Sequence, residues 1–230
     1  MPLPLSRRQQ NALQIATHIG ALIPFAILIL DYYRGNLTFN PIQEATFRTG
    51  KTALTLLVLS LACTPLRFLF DWKWVIRLRR PLGLYAFFYV CIHFLIFIWV
   101  DYGLVWAYIK EGLLEKPYAL VGFTAFLLLT PVALTSTKGW QKRLGKNWTR
   151  LHKLVYIVGV LVIIHYLWEV KANLWPPIRW GTAMAILLLI RNASVKKWIT
   201  AARTRYRRTR KVAAPPSGAA GETDSPAGPA

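Results

Sequence analysis

The sequence predicts an all-α fold, a polytopic membrane protein whose six transmembrane helices form a bundle. Hydrophobic residues make up 55% of the 230 residues and charged residues only 17%, whereas a soluble domain carries about 25% charged residues. The formal net charge is nevertheless +20. A chain that is both apolar and strongly basic must keep these properties in different regions, which excludes an intrinsically disordered chain and argues against a nucleic-acid-binding protein with one continuous basic face.

Six apolar segments approach the length of about 20 residues that a helix needs to cross a bilayer. They cover residues 15–30, 52–70, 82–100, 118–134, 151–168 and 178–190. The sixth is the shortest and is bracketed by Arg179 and Arg191, whose long side chains can reach the membrane interface. The first ten residues lack the pattern of a cleavable signal, so we expect the first segment to be retained as a helix.

The distribution of cations predicts the orientation in the membrane. Most of the 29 Lys and Arg residues precede the first segment, follow the second and fourth, or follow the sixth. Because cytoplasmic loops carry the excess of Lys and Arg, both termini are predicted to be cytoplasmic. We divide the chain into a cytoplasmic N-terminus (1–12), the six-helix domain (13–195), a basic segment that can contact anionic lipid (196–211) and a disordered tail (212–230).

A weak internal repeat relates two pairs of segments. Thr64-Pro65 is placed at the end of the second predicted helix, and Thr130-Pro131 near the end of the fourth. Each is followed by a basic loop and by a segment that contains histidine. This pattern suggests two related hairpins, although Thr-Pro is also common punctuation at helix ends.

Histidines lie in or at the edges of the apolar segments, where an ionisable side chain is costly and indicates function. The alternative for any one of them is a neutral imidazole that is hydrogen-bonded to a neighbouring helix. His93 and His165 lie on the third and fifth segments, which run in the same direction, and their depths differ by only about 5 Å at a rise of ~1.5 Å per residue. Two such imidazoles can ligate one haem iron from both faces. We therefore predict that His93 and His165 are the metal ligands of a haem b near the outer surface.

His152 cannot serve the same haem, because it lies 13 residues before His165, or ~20 Å along a helix. The positions 13 and 14 residues before His93 hold Arg80 and Arg79, and arginine does not ligate iron. A second haem with two histidine ligands is therefore not predicted.

Arginines surround the predicted inner site. The inner cofactor-binding residues are predicted to be His152, Arg77, Arg79 and Arg80. This combination suits an anionic group, either a haem propionate or the phosphate of flavin mononucleotide (FMN). For each arginine alone, membrane orientation is the better explanation. His18, at the start of the first segment, is interpreted as structural.

Two motifs resemble those of ferric-reductase-like transmembrane cytochromes. They are RRPLGL at residues 79–84, followed by His93, and WTRLHKL at residues 148–154, followed by His165. The short chain and the Leu-His-Lys-Leu-x-Tyr run are most similar to the MsrQ family, the haem-binding membrane subunits of periplasmic methionine sulfoxide reductase systems. The resemblance covers most of the chain, from the first segment to the sixth.

This resemblance implies a function in electron transfer across the bacterial inner membrane. The family subunit holds haem b and FMN, and it receives electrons from the quinone pool or from a cytosolic flavin reductase. Its partner is a periplasmic molybdopterin enzyme that reduces methionine sulfoxide in oxidised envelope proteins. The sequence contains no acid–base pair or nucleophile triad, so the final reduction is expected on that partner.

Two other functions remain open from the sequence. One is a stand-alone ferric or quinone reductase of the same architecture, which would need no periplasmic enzyme. The other is a small proton-coupled transporter whose histidines form a proton relay. Transporters commonly carry broken helices or acidic residues near the middle of the membrane, whereas the acidic residues here lie mainly in predicted loops.

Overall fold

The computed structural model describes residues 6–170 and 172–201, and within these ranges it is helical and contains no β-strand. The helices are α1 (Arg7–Arg34), α2 (Pro41–Phe70), α3 (Ile76–Leu95), α4 (Trp106–Glu115), α5 (Pro117–Leu134), α6 (Lys138–Leu144), α7 (Lys146–His152), α8 (Leu154–Glu169) and α9 (Trp175–Arg191). A 3₁₀ turn precedes α3 (Lys73–Val75), and a π-helical turn follows it (Ile96–Asp101). The predicted all-α class is confirmed.

Five helical stretches in the described ranges are long and apolar enough to cross a membrane, and they correspond to the first five predicted segments. They are Arg7–Arg34, Pro41–Phe70, Lys73–Asp101, Pro117–Leu134 and Lys146–Glu169. The chain is therefore a helical membrane protein. The sixth segment forms α9, which has 17 residues, so its crossing of the membrane stays a prediction.

The helices extend beyond the apolar segments that predicted them. α1 begins at Arg7 because the Ser6 hydroxyl accepts a hydrogen bond from the backbone N–H of Gln9, and the Gln9 side-chain oxygen accepts one from the backbone N–H of Ser6. This reciprocal capping stabilises a polar first turn that hydropathy does not detect. Pro65 lies inside α2, which continues to Phe70, so the placement of Thr64-Pro65 at the end of that helix was wrong.

The chain divides into two compact units, Met1–Leu188 and Leu189–Ala230. The first unit contains all the predicted site residues. In the second, the described residues 189–201 are helical on either side of Asn192. The predicted tail (212–230) and most of the predicted basic segment (196–211) lie outside the described residues.

Two antiparallel helix pairs form the core of the first unit. In the first pair, α2 runs against α3, with Thr46 opposite His93 and Ser60 opposite Arg79. In the second, α5 runs against α7 and α8, as shown by hydrogen bonds that join Tyr118 to His165 and Thr135 to Trp148. The buried side chains between the pairs include Leu57, Leu61, Tyr89, Ala125, Leu129, Val158 and Ile163.

Helix α1 is attached to α3 by two tyrosines. Tyr89 is fully buried, and its hydroxyl donates to the carbonyl of Ala21 (2.8 Å) and accepts from the backbone N–H of Phe25 (3.0 Å). These two backbone groups would bond each other in a regular helix, and Pro24 lies between them. Tyr85 bonds the ring of His18 at 3.0 Å, so His18 has a hydrogen-bond partner on α3.

Candidate functional site

The structure brings His93 of α3 and His165 of α8 together. Their ring centroids are 6.2 Å apart, and the ring planes are almost perpendicular, at 89°. We call these two residues the paired-histidine site. Because α3 and α8 belong to different helix pairs, the site lies where the two pairs meet.

Each of these imidazoles is oriented by a backbone carbonyl. His93 Nδ1 lies 2.9 Å from the carbonyl oxygen of Thr46, and His165 Nδ1 lies 2.7 Å from that of Tyr118. A carbonyl can only accept, so Nδ1 carries the proton and donates in both rings. Nε2 is then unprotonated, and its lone pair is available to a metal ion.

Two glycines allow the rings to approach the neighbouring helices. A Cβ atom at Gly50 would lie 3.2 Å from Cε1 and Nδ1 of His93, and one at Gly122 would lie 2.7 Å from Nδ1 of His165. Gly50 follows Thr46 by one helical turn, and Gly122 follows Tyr118 by the same turn. On each of these helices, a carbonyl and a glycine on one face contact the imidazole, and we call each such pair a seat. None of the four residues was predicted from the sequence.

The two seats are related by a constant offset in sequence. The differences 165 minus 93, 122 minus 50 and 118 minus 46 all equal 72. The repeated Thr-Pro pairs indicated the same two hairpins but at another offset, 131 minus 65, which is 66. A search for glycine and histidine that recur together at one spacing would have found the seats.

The paired-histidine site fits a haem better than a bare metal ion. The part of the chain that the structure describes contains no group of three or more His, Cys, Asp or Glu residues that could hold an ion. A porphyrin would bring most of the ligands of its iron with it, so that two histidines would be enough to hold it. His93 and His165, whose ring centroids are 6.2 Å apart, would be those two residues.

His152, at the end of α7, forms a second site, which we call the single-histidine site. Its ring stacks on Trp148, with centroids 3.9 Å apart and an interplanar angle of 29°, and its Nδ1 lies 3.1 Å from the Trp148 carbonyl oxygen. Its Nε2 is buried and has no hydrogen-bond partner in the structure as described. A buried polar atom without a partner is rare, so this nitrogen is a candidate contact for a bound group.

One of the three predicted arginines acts electrostatically on this histidine. Arg79 is half-buried and interacts electrostatically with His152, and its carbonyl accepts a hydrogen bond from Ser60 at 2.8 Å. Arg77 and Arg80 are exposed. From the sequence, Arg79 and Arg80 were equal candidates for the residue opposite His152. In the structure, Arg79 is the one whose charge acts on His152.

The class of protein follows from a family match over the region that contains these helices. The family described as ferric reductase like transmembrane component matches residues 49–163, which include His93 and His152. Bacterial relatives give the particular family. The chain is 47% identical over 176 residues to the protein-methionine-sulfoxide reductase heme-binding subunit MsrQ of Herminiimonas arsenicoxydans, covering 75% of this chain and 81% of the relative.

It is also 42% identical over 211 residues to MsrQ of Xanthomonas campestris pv. campestris, covering 89% of this chain and 94% of the relative. MsrQ of Xanthomonas euvesicatoria pv. vesicatoria is 41% identical over 211 residues. The chain belongs to the MsrQ family within the ferric-reductase-like transmembrane proteins. No solved structure matches it significantly.

Proposed function

We propose that this chain is the haem-binding, electron-transferring membrane subunit of a methionine sulfoxide reductase system. The observation that carries the proposal is the pair of facing imidazoles, His93 and His165, whose Nδ1 atoms are both engaged by carbonyl oxygens. Relatives at 40–47% identity are named as heme-binding subunits, which supports the same conclusion.

His93 and His165 would hold haem b through Nε2. Bound haem supplies a centre that accepts and releases one electron at a time. Thr46 and Tyr118 keep the two rings in the tautomer that can ligate iron, because their carbonyls accept the Nδ1 protons. The apolar side chains of the two helix pairs form the core between them and would limit the access of water to the bound group.

The single-histidine site would take the inner cofactor, FMN. Arg79 provides positive charge for a phosphate, Trp148 provides an aromatic plane against the ring of His152, and His152 Nε2 is a buried polar atom that lacks a partner. Arg77 and Arg80 are exposed and add positive charge on the same helix turns. Electrons would enter here from the quinone pool or from a cytosolic flavin reductase.

The excess of cations in the loops that carry the single-histidine site supports a cytoplasmic location for this end, with both termini in the cytoplasm of a bacterial inner membrane. The paired-histidine site would then face the periplasm. Its electrons would pass to a periplasmic molybdopterin methionine sulfoxide reductase, the partner on which oxidised envelope proteins are repaired. Anionic lipid would contact the basic loops.

A reduced-minus-oxidised optical spectrum of the purified protein tests the outer site. We expect the bands of a low-spin haem b, and we expect them to disappear in His93→Ala and in His165→Ala. His18→Ala is the matched control, since His18 is also an intramembrane histidine but bonds Tyr85. A colourless protein, or bands that survive both ligand substitutions, would refute the proposal.

His152→Ala tests the inner site separately. Loss of the imidazole should lower the flavin content and slow the reduction of haem by the cytosolic donor, while the oxidised spectrum of the haem stays as in the wild type. Flavin content and reduction rate equal to those of the wild type would contradict this role.

A stand-alone ferric or quinone reductase is the second candidate, because the matched family is described by ferric reduction. The two functions differ in their need for a partner. With reduced protein in membranes, methionine sulfoxide should be reduced only when the periplasmic enzyme is added. Rapid oxidation by ferric citrate alone, with no transfer to the added enzyme, would favour the stand-alone reductase.

A further inference from the structure

His18 and Tyr85 form a polar pair near the beginnings of two apolar segments. Nδ1 of His18 on α1 lies 3.0 Å from the hydroxyl oxygen of Tyr85 on α3, and the two ring centroids are 5.6 Å apart. Each residue lies three positions after the start of its predicted apolar segment, which is residue 15 for one and residue 82 for the other. Both therefore lie at one depth, about 5 Å inside the apolar layer at the rise of a helix.

The imidazole of this pair lies on the outside of the helix bundle. His18 is exposed, and Ile15 and Leu22, which lie on the same face of α1 three residues before it and four after it, are exposed as well. In a helix that is long and apolar enough to cross a membrane, such a face contacts acyl chains. A molecule that reaches His18 from this side must therefore be soluble in lipid.

The contact with Tyr85 engages only one ring nitrogen of His18. In the part of the chain that the structure describes, His18 forms its side-chain hydrogen bond through Nδ1, and Nε2 forms none. An imidazole nitrogen without a partner is costly in an apolar medium, and a polar side chain at such a position in a membrane helix indicates function. Nε2 is therefore a candidate contact for a polar group on a lipid-soluble molecule.

The pair can bind either a hydrogen-bond acceptor or a donor. If the Tyr85 hydroxyl donates to Nδ1, the imidazole proton is on Nε2, which can donate to a carbonyl oxygen. If Nδ1–H donates to the Tyr85 oxygen instead, Nε2 is unprotonated and can accept from a hydroxyl. A quinone presents a carbonyl, a quinol presents a hydroxyl, and both carry the apolar tail that this face of α1 requires.

We propose that the His18–Tyr85 pair binds the ring of a membrane quinone or quinol, with His18 Nε2 as the contact and Tyr85 as the residue that positions the imidazole. The proposal rests on the electron-transfer function proposed above and names the place where the quinone pool meets this chain. It gives His18 a function, where the sequence indicated a structural role. Tyr85 follows Arg79 on α3 by six residues, or about 9 Å along the helix axis. The pair thus lies near the level of the single-histidine site, to which the proposed function assigns the entry of electrons.

Reduction of the full-length, haem-loaded protein in detergent by decylubiquinol tests this assignment. The variants are His18→Leu, which removes the contact, and Tyr85→Phe, which keeps the ring and removes its hydroxyl. Tyr89→Phe is the matched control, because it also removes a tyrosine hydroxyl that joins α3 to α1. Labelling by a photoreactive azidoquinone, with decylubiquinone as competitor, reports binding independently of haem.

We expect the half-saturating concentration of decylubiquinol to rise about fivefold in His18→Leu and in Tyr85→Phe, the effect of one lost hydrogen bond. The rate of haem reduction at saturation should stay within about twofold of the wild type, because the variants lose binding of the quinol and not the later step. Tyr89→Phe should keep the wild-type concentration dependence. Azidoquinone should label α1 or α3 in the wild type, and much less so in His18→Leu.

An unchanged half-saturating concentration in both variants, an equal rise in Tyr89→Phe, or labelling outside α1 and α3 would overturn the assignment. So would a wild-type haem that a cytosolic flavin reductase reduces and decylubiquinol does not, an outcome that leaves the proposed function standing. If the wild type holds no haem, the proposed function fails, and the labelling of α1 and α3 still decides whether this pair binds a quinone.

Discussion

The two helix pairs of the first unit carry the same residues at the paired-histidine site but different residues at the single-histidine site. At the level of the paired-histidine site, α2–α3 and α5–α8 use the same arrangement of carbonyl, glycine and imidazole, at a constant offset of 72, which is 165 minus 93. At the level of the single-histidine site, one pair presents His152 and the other presents Arg79. Two equivalent seats suit a cofactor with two equivalent faces, and two different side chains suit a cofactor with a charged end.

The largest effect on haem retention should come from a Cβ atom added at either seat glycine, and the effect should differ between the two glycines. At Gly122 a Cβ would lie 2.7 Å from Nδ1, the atom that bonds Tyr118, whereas at Gly50 the contact is 3.2 Å. We expect Gly122→Ala to reduce haem retention by about tenfold or more, since it displaces the ring and its hydrogen bond, and Gly50→Ala to reduce it by about twofold. Haem loss to apomyoglobin measures both.

Gly20→Ala is the control for this comparison, because no atom lies within 4 Å of a Cβ at Gly20 on α1. It should leave haem retention unchanged. If Gly50→Ala lost haem faster than Gly122→Ala, the closer approach of the ring at Gly122 would not be what holds His165 in place.

An intermediate effect should follow when both helix pairs carry a histidine at the single-histidine site. Arg79→His would place a second imidazole opposite His152, and we expect the haem content per chain to rise above that of the wild type while the flavin content falls. Pyridine haemochrome and flavin fluorescence measure the two. Arg80→His replaces the exposed neighbouring arginine and should change neither the haem content nor the flavin content. A rise in haem content in Arg80→His but not in Arg79→His would show that Arg80, and not Arg79, lies opposite His152.

The smallest effect concerns a contact that only the second pair has. Trp148 Nε1 donates to the carbonyl of Thr135 at the end of α5 (2.9 Å) while its ring stacks on His152. Trp148→Phe keeps an aromatic ring and removes the hydrogen bond, so the free energy of unfolding should fall by about 1 kcal/mol. Thermal unfolding in detergent measures it, and Trp140→Phe, on an exposed indole, should have no effect.

Much of this site could be predicted from depth alone. The rise of a helix places His93 and His165 at one level and His152 at another, and the structure indeed has the first two rings adjacent and the third elsewhere. Rotation about the helix axis was not predictable, which is why Arg79 and Arg80 stayed equivalent. The seats at Gly50 and Gly122 were missed because a glycine in an apolar helix has no distinctive pattern until its neighbour is known.

The sequence by itself determined the five long apolar helices, the asymmetry of the loop charges and the residue types available at each depth, because hydropathy and charge are properties of short stretches of chain. The tertiary structure decided which faces meet: α3 against α8 at the imidazoles, α2 and α5 behind them with a carbonyl and a glycine each, and Arg79 beside His152. The two hydrogen bonds that orient the imidazoles each join residues 47 positions apart along the chain. Only the packing of whole helices sets the rotation that brings such distant residues together.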